Sequence, residues 1–415
     1  MYSRLFLASA LLTSAVIQSR AQYFVPTSAP HTNWAAITCS ADGSTVVAAS
    51  YGVSTIGVTP GQSPSGGLVY ISTDSGATWL PTSAPATNYS ALACSADAST
   101  IIAAAGYWYV GAGFWNGSPQ PLFVSTNSGA TWVQTAAPLA TWGSVACSSN
   151  GVFMMAANGS DLWLSTNAGA AWYAVGLTGC STITCSADGA KLAALAGNNI
   201  CTSTNFGTNW TVTTIAGKSL LSLASSADGT KLAIGCGYGA GANPYGPIYT
   251  SIDSGKTWFP TTSPAAVCLF LSSSGDGRRL TGFASHIYVS TNSGASWTDS
   301  FNPLEWWVAP AFSADGKKLF IAANLNDTIY TYEQGPRLQI SNAATNLLLS
   351  WPAYGTGLGL GVAPDPTTNF VVQQSISLGG AGWSDAGLVP VVTNFTDQIL
   401  VPASAGQLFY RLKGY

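Results

Sequence analysis

Hydrolysing a glycosidic bond takes two carboxyl groups placed about 5–10 Å apart across it. Outside two recurrent turn motifs, the first 335 residues of this 415-residue chain supply only Asp161, Asp299, Glu305 and Asp327 for such work. Glu305 with Asp327 or Asp161 is the acid/base set to weigh, and ordinary solvated loop carboxylates are the simpler reading. The six arginines (Arg4, Arg20, Arg278, Arg279, Arg337, Arg411) form no cluster suited to gripping a substrate carboxylate. His31 and His286 are the only histidines, and neither has an evident Ser or Asp companion for a nucleophilic triad. With no C-x-x-C pair and no His/Cys cluster, neither a zinc site nor a cofactor is expected.

A second chemistry is stacking, in which an aromatic face buries the C–H surface of a sugar while nearby amides bond its hydroxyls. Tyr107, Trp108, Tyr109, Phe114 and Trp115 crowd one short stretch. Trp307, Trp34, Tyr89 and Trp142 recur at equivalent places along the chain. The first group is the stronger ligand-binding candidate; for the second, plain packing is the leading reading.

These side chains need a scaffold, and composition narrows it. Only 7% of residues are charged while 47% are hydrophobic, which excludes a disordered chain. A net charge of −3 and the lack of any long basic run leave no electrostatic footprint for nucleic acid. Glycine (45) and proline (21) punctuate short apolar runs rich in Ser, Thr, Ala and Val, so an all-β fold is expected. Near the start, Arg4 precedes the apolar stretch Leu5 to Ile17, followed by Ser19-Arg20-Ala21. That is the pattern of a cleaved export signal, residues 1–21, and it is too short for the roughly 20 residues that span a bilayer. The mature chain is expected to begin at Gln22 as a soluble protein, secreted or at the cell surface or in the periplasm, with no membrane span.

Two motifs alternate through the next 300 residues. One, S-x-[DN]-x-G-x-x-W, runs Ser72–Trp79, Ser125–Trp132, Ser165–Trp172, Ser203–Trp210, Ser251–Trp258 and Ser290–Trp297. The other, close to C-S-A-D-G, centres on Asp42, Asp97, Asn150, Asp188, Asp228, Asp276 and Asp315. A degenerate box at Thr331–Gly335 completes seven copies of the first. Ten residues separate most box tryptophans from the next first strand, as from Trp79 to Tyr89. Each unit reads as strand A, a turn, strand B, a variable loop, strand C, the box turn and strand D: one blade of a propeller. Tyr23–Pro30 nearly repeats Thr78–Pro85, so the N-terminus is expected to supply strand D of the seventh blade and close the ring.

The boxes resemble the Asp-box (BNR) repeats of sialidases, sortilin-type receptor propellers, some xyloglucan hydrolases and the photosystem II assembly factor. The resemblance covers about 310 residues and implies the fold, since those families do unrelated things on it. The box acid is Asp74 or Asp253 in two copies but Asn127, Asn167, Asn205 or Asn292 in four. That mixture keeps hydrogen-bond acceptance and discards the charge, so the boxes are expected to be structural staples. A box tryptophan buried between sheets would cost about 3–5 kcal/mol on truncation to alanine.

Of eight cysteines, Cys39, Cys94, Cys147 and Cys185 share one strand-A position. With sheets about 10 Å apart they should not bridge, whereas Cys180, Cys201, Cys236 and Cys268 remain possible partners. After Gly335-Pro336 the box rhythm stops, and segments such as Leu347–Pro352 and Leu408–Leu412 read as a small β-sandwich, residues 336–415. It resembles the fibronectin type III-like modules that end many secreted bacterial proteins. Strand direction puts both turn motifs on one face, and the loops that vary in length, in blades 1, 2 and 5, on the other. The expected whole is a seven-bladed propeller (residues 22–335) plus sandwich. Its expected role is a monomeric, non-enzymatic binder of a glycan or an extracellular protein; an Asp-box glycoside hydrolase is the alternative.

Overall fold

The computed structural model describes residues 6–8, 23–51, 66–110, 113–116, 119–237, 246–263, 268–283, 287–300, 307–323, 328–333, 339–343, 346–352, 370–375, 384–385, 391–393, 396–402 and 408–414. Every regular element among them is a strand. The chain divides into two units, Pro26–Thr331 and Met1–Val25 with Tyr332–Tyr415.

The first unit is a seven-bladed β-propeller. Blade 1 is an antiparallel sheet of Trp34–Cys39, Val46–Ser50, Val69–Ser72 and Leu80–Pro81, strands A to D in that order. Blades 2 to 6 repeat that order, beginning at Tyr89, Ser144, Cys180, Ser219 and Phe270. The seventh sheet is ordered Tyr23–Pro26, Ile329–Glu333, Leu319–Ala323, Trp307–Phe312. Strands A touch one another in a closed cycle through all seven blades and so form the hub.

Burial explains the strand sequences. Strand B lies between two neighbouring sheets and is buried on both faces, so it reads as an unbroken small-apolar run, Val-Val-Ala-Ala-Ser in blade 1 and Ile-Ile-Ala-Ala-Ala in blade 2. Strand D is the outer edge, and Leu80, Val133 and Phe259 there stay exposed. The core is a series of seams between blades: Ala36, Val47 and Ala49 of blade 1 meet Tyr89, Leu92 and Ile101 of blade 2. Each box tryptophan packs backward onto the preceding blade, as Trp132 does on the seam of blades 1 and 2.

One ring of backbone hydrogen bonds encircles the hub. Ala41 N–H donates to Ala96 O, Ala96 to Ser149, Ser149 to Ala187, Ala187 to Ala227, Ala227 to Gly275, Gly275 to Ala314, and Ala314 back to Ala41, all at 2.7–2.9 Å. The cycle returns to its start after seven members, which fixes the blade number. At the seam of blades 7 and 1, Thr27 N–H donates to Ile329 O and Thr328 Oγ1 to Ala29 O. Ser28 Oγ donates to Ala77 O as Ser83 Oγ does to Ala130 O.

The second unit holds two four-stranded sheets. One is ordered Phe6–Ala8, Leu408–Gly414, Phe370–Ser375, Ser384–Asp385; the other Gln339–Ala343, Asn346–Pro352, Thr396–Pro402, Val391–Thr393. No helix among the described residues is long and apolar enough to cross a membrane.

Candidate functional site

In the six complete boxes, the serine hydroxyl donates to the Asp or Asn Oδ1 two residues on and accepts the glycine N–H at 2.8–3.0 Å. The same Oδ1 accepts the N–H four residues beyond the serine's partner, as Thr78 N–H to Asp74 at 2.8 Å and Ser296 N–H to Asn292 at 2.8 Å. The residue after the acid is left-handed in every box, and the glycine that follows also has positive φ. The A-to-B turns use the same chemistry at shorter range: Ser40 Oγ donates to Asp42 Oδ1, which also accepts Ser44 N–H at 2.9 Å. The two turns of a blade are joined, for example by Ser75 N–H to Ser44 O at 2.8 Å, so both lie on one face.

These bonds hold the turn carboxylates ionised. Asp74 is drawn down to about 2 by the Thr78 hydroxyl and N–H and the Ser72 hydroxyl. Asp42 is drawn to about 2 by Ser40 and Ser44, and Asp97 to about 2 by Ser95 and Ser99. A depressed folded-state value adds stability that is complete above the unfolded value near 4 and is lost as pH falls through about 2. The melting temperature should therefore hold between pH 7 and 5 and drop steeply from about pH 4 toward 2. Asp74→Asn, which copies four natural boxes, should match the parent at pH 7 and shed part of that drop, while Asp74→Ala should melt lower even at pH 7. Thermal melts of both variants check this; equal melts for Asn and Ala would show that the acceptor is idle.

The box tryptophans differ from expectation. All six are half-buried, because the box sits at the outer corner of the seam, and a truncation should cost less than full burial implies, about 2 kcal/mol. Five donate Nε1–H to their own box glycine O at 3.0–3.2 Å. Trp210 is the exception: its Nε1 is buried without a partner.

The recurrent aromatics separate into two kinds. Trp34 and Trp142 are 0% exposed and Tyr89 1%, so none presents a ring face to a ligand. The hub draws strand A inward, and the first ring of the strand plugs the seam beneath: Trp142 Nε1 donates to Gln120 O at 3.1 Å and Tyr89 Oη to Pro85 O. The candidate ligand role of these three gives way to packing. Trp307 is half-buried, edge-on to Tyr330 at 5.3 Å and tilted against Phe283 at 6.3 Å. Tyr107–Val110 and Gly113–Asn116 form a hairpin on the loop face of blade 2, with Trp108 registered against Trp115 and Tyr109 against Phe114. Asp161 opens strand C of blade 3, where its N–H bonds Asn158 Oδ1 at 2.7 Å. Glu305 and Asp327 lie outside the described residues, as do residues 52–65 and 238–245 of the long loops in blades 1 and 5.

All eight cysteines are free thiols. The sheet-spacing argument does not hold at the hub, where strands converge: Cys94 Sγ comes within 3.3 Å of Cys39 O. Bridging is still absent because each of these thiols occupies its own seam, Cys39 between blades 7 and 1 and Cys94 between blades 1 and 2. Cys268 N–H bonds Cys236 O at 2.9 Å, yet the two side chains point into different seams. Burial lifts Cys94 to about 11 and Cys185 to about 12, which keeps them protonated and unreactive at neutral pH. Among the described residues no three His, Cys, Asp or Glu side chains converge as metal ligands.

No protein-family model matches the chain, and no curated protein matches it in sequence. Solved structures do share its fold. YCF48 from Cyanidioschyzon merolae aligns over 76% of this chain and 98% of its own, with TM-score 0.54 and 14% identity. A structure of YCF48 bound to D1 peptide aligns over 75% and 96%, with TM-score 0.53 and 13% identity. The GH74 enzyme of Niastella koreensis aligns over 88% of this chain and 68% of its own, with TM-score 0.57 and 16% identity. The chain is a seven-bladed propeller. At these identities the likeness carries fold and nothing of activity.

Proposed function

We propose that the protein is an exported, non-enzymatic binding propeller that recognises a glycan or an extracellular protein through its loop face. The observation that carries this reading is the use of the conspicuous carboxylates: each turn aspartate is engaged by its own serine and backbone N–H groups, which makes the turn motifs scaffold and leaves recognition to variable loops on a rigid ring. The peptide-bound propeller of the same fold supports a polypeptide ligand, and the aromatic hairpin of blade 2 supports a sugar. In this reading the boxes are Asp-boxes, residues 1–21 are a cleaved leader and residues 336–415 a fibronectin type III-like sandwich. Tyr23–Pro26 serves as the closing strand D, supported by Thr27 and Ser28, which touch blade 1 as Thr82 and Ser83 touch blade 2. A glycan array run beside a pull-down with extracellular proteins tests the reading; retention of neither class by the secreted chain would sink it. Intact mass of the secreted protein should correspond to a start at Gln22, and a start at Met1 would remove the leader.

The likeness to a GH74 enzyme supports a second reading, a glycoside hydrolase using Glu305 with Asp327 or Asp161. Release of reducing sugar from a polysaccharide panel, abolished in Glu305→Gln, would establish it over the first.

A further inference from the structure

The turn face carries a pattern that scaffolding does not require. In each A-to-B turn, the fifth residue after the opening serine lies over the turn of the next blade. A β-carbon on Gly189 would sit 2.8 Å from the Phe153 ring, and one on Gly229, Gly277 or Gly316 would meet Lys191, Lys231 or Arg279. Going round the hub this position reads Thr45, Thr100, Phe153, Lys191, Lys231, Arg279, Lys318. Blades 1 and 2 are neutral there, blade 3 is aromatic, and blades 4 to 7 are all cationic. Beside them Arg278 and Lys317 have side chains 74% and 79% exposed.

The lysines are held by neutral acceptors: Lys191 Nζ donates to Asp228 O at 2.9 Å, Lys231 Nζ to Asp276 O at 2.7 Å, and Lys318 Nζ to Ser75 Oγ at 2.9 Å. The carboxylates of the same turns, Asp188, Asp228, Asp276 and Asp315, are engaged by their own serines, with Lys317 on Asp315 at 3.0 Å and Arg278 on Asp276 at 3.8 Å. In the A-to-B turns of blades 4 to 7 six cations accompany four carboxylates, whereas blades 1 to 3 carry no Lys or Arg at all.

At the aromatic end of this arc, box 4 is abnormal. Its left-handed residue is Phe206 (φ 56°), where the other boxes place Ser or Ala. A bulky side chain in that region is strained, and such strain persists where something is gained from it. Phe206 is 50% exposed and meets Phe153 edge-on at 6.0 Å. The same box is the one whose tryptophan, Trp210, has lost its Nε1 hydrogen bond.

We propose that the turn face of blades 3 to 7 docks an extended acidic polypeptide segment of a partner protein. An apolar side chain of the segment seats on Phe206, and its carboxylates run along Lys191, Lys231, Arg279 and Lys318. A side-chain-sized apolar spot at an edge-on ring pair suits a Leu or Phe residue better than the flat platform a sugar needs, and the consecutive cations match a run of Asp or Glu. This surface is distinct from the loop face and stands or falls without it.

Fluorescence anisotropy of the full chain with three labelled probes tests the proposal: a peptide of one Phe followed by six Glu, its Lys counterpart, and oligogalacturonate. The acidic peptide should bind, more weakly as salt rises, and the basic one should not. Lys231→Thr with Arg279→Thr, which restores the blade 1 and 2 residue, should weaken binding roughly tenfold. Phe206→Ser should weaken binding at least about fivefold while raising the melting temperature, since it relieves the strained turn; a merely structural Phe206 would lower it. Equal binding of acidic and basic peptides, indifference to both sets of substitutions, or preference for oligogalacturonate with Phe206→Ser silent would each overturn the proposal, the last in favour of an acidic glycan.

Discussion

Truncation of Trp142 to alanine should lower the unfolding free energy by about 3–5 kcal/mol, the range for deleting a fully buried large aromatic. The ring is 0% exposed, packs among Ile102, Leu122 and Met154 in the seam of blades 2 and 3, and bonds Gln120 O through Nε1. Removing it opens a cavity in the seam and leaves that carbonyl without its donor. Trp34→Ala should lose a similar packing contribution but no hydrogen bond, because its Nε1 has none. Trp79→Ala, at a half-buried box ring, should cost about 2 kcal/mol. Denaturant midpoints for the three variants give the ranking directly. Were Trp142 a ligand platform, its loss would leave stability within about 0.5 kcal/mol and strike binding instead.

Gly189→Ala should destabilise by about 2–4 kcal/mol, for two separable reasons. Its φ is +76°, and a left-handed backbone disfavours any L side chain by about 1–2 kcal/mol. The new methyl would also lie 2.8 Å from Phe153 Cγ in a position wedged between two turns of the hub ring. Gly159→Ala is the control: φ is +80° but nothing lies within 4 Å, so it should show the backbone cost alone, about 1–2 kcal/mol. Chemical denaturation of the pair isolates the contact. Equal losses would mean that Phe153 swings away freely and that the turn ring is slack.

The strand order and the turn chemistry were legible because they are local. A serine, an acid two residues on and an N–H beyond it close their bonds within one corner, so the spacing Ser72, Asp74, Gly76, Trp79 already contains the geometry found there. The blade count followed from repetition of that corner. The candidate site was less legible. Trp34, Tyr89 and Trp142 carry the residue type of a sugar platform, and nothing along the chain distinguishes a ring plugging a seam from one facing solvent. Phe206 of box 4 passed unmarked in the sequence, because its meaning needed the neighbour, Phe153, 53 positions earlier.

By itself, then, the amino-acid order determined the all-strand fold, the sevenfold repeat and the corners that pin each sheet. Only the tertiary structure decided which residues of different blades meet: the seam each cysteine occupies, the aromatics that vanish into the core, and the arc of cations beside Phe206 on the turn face. The physical reason is range. Turn bonds join atoms two to five residues apart and are written in local spacing, whereas contacts across seams depend on the curvature with which seven sheets close, a property that appears only once Ala314 has reached back to Ala41.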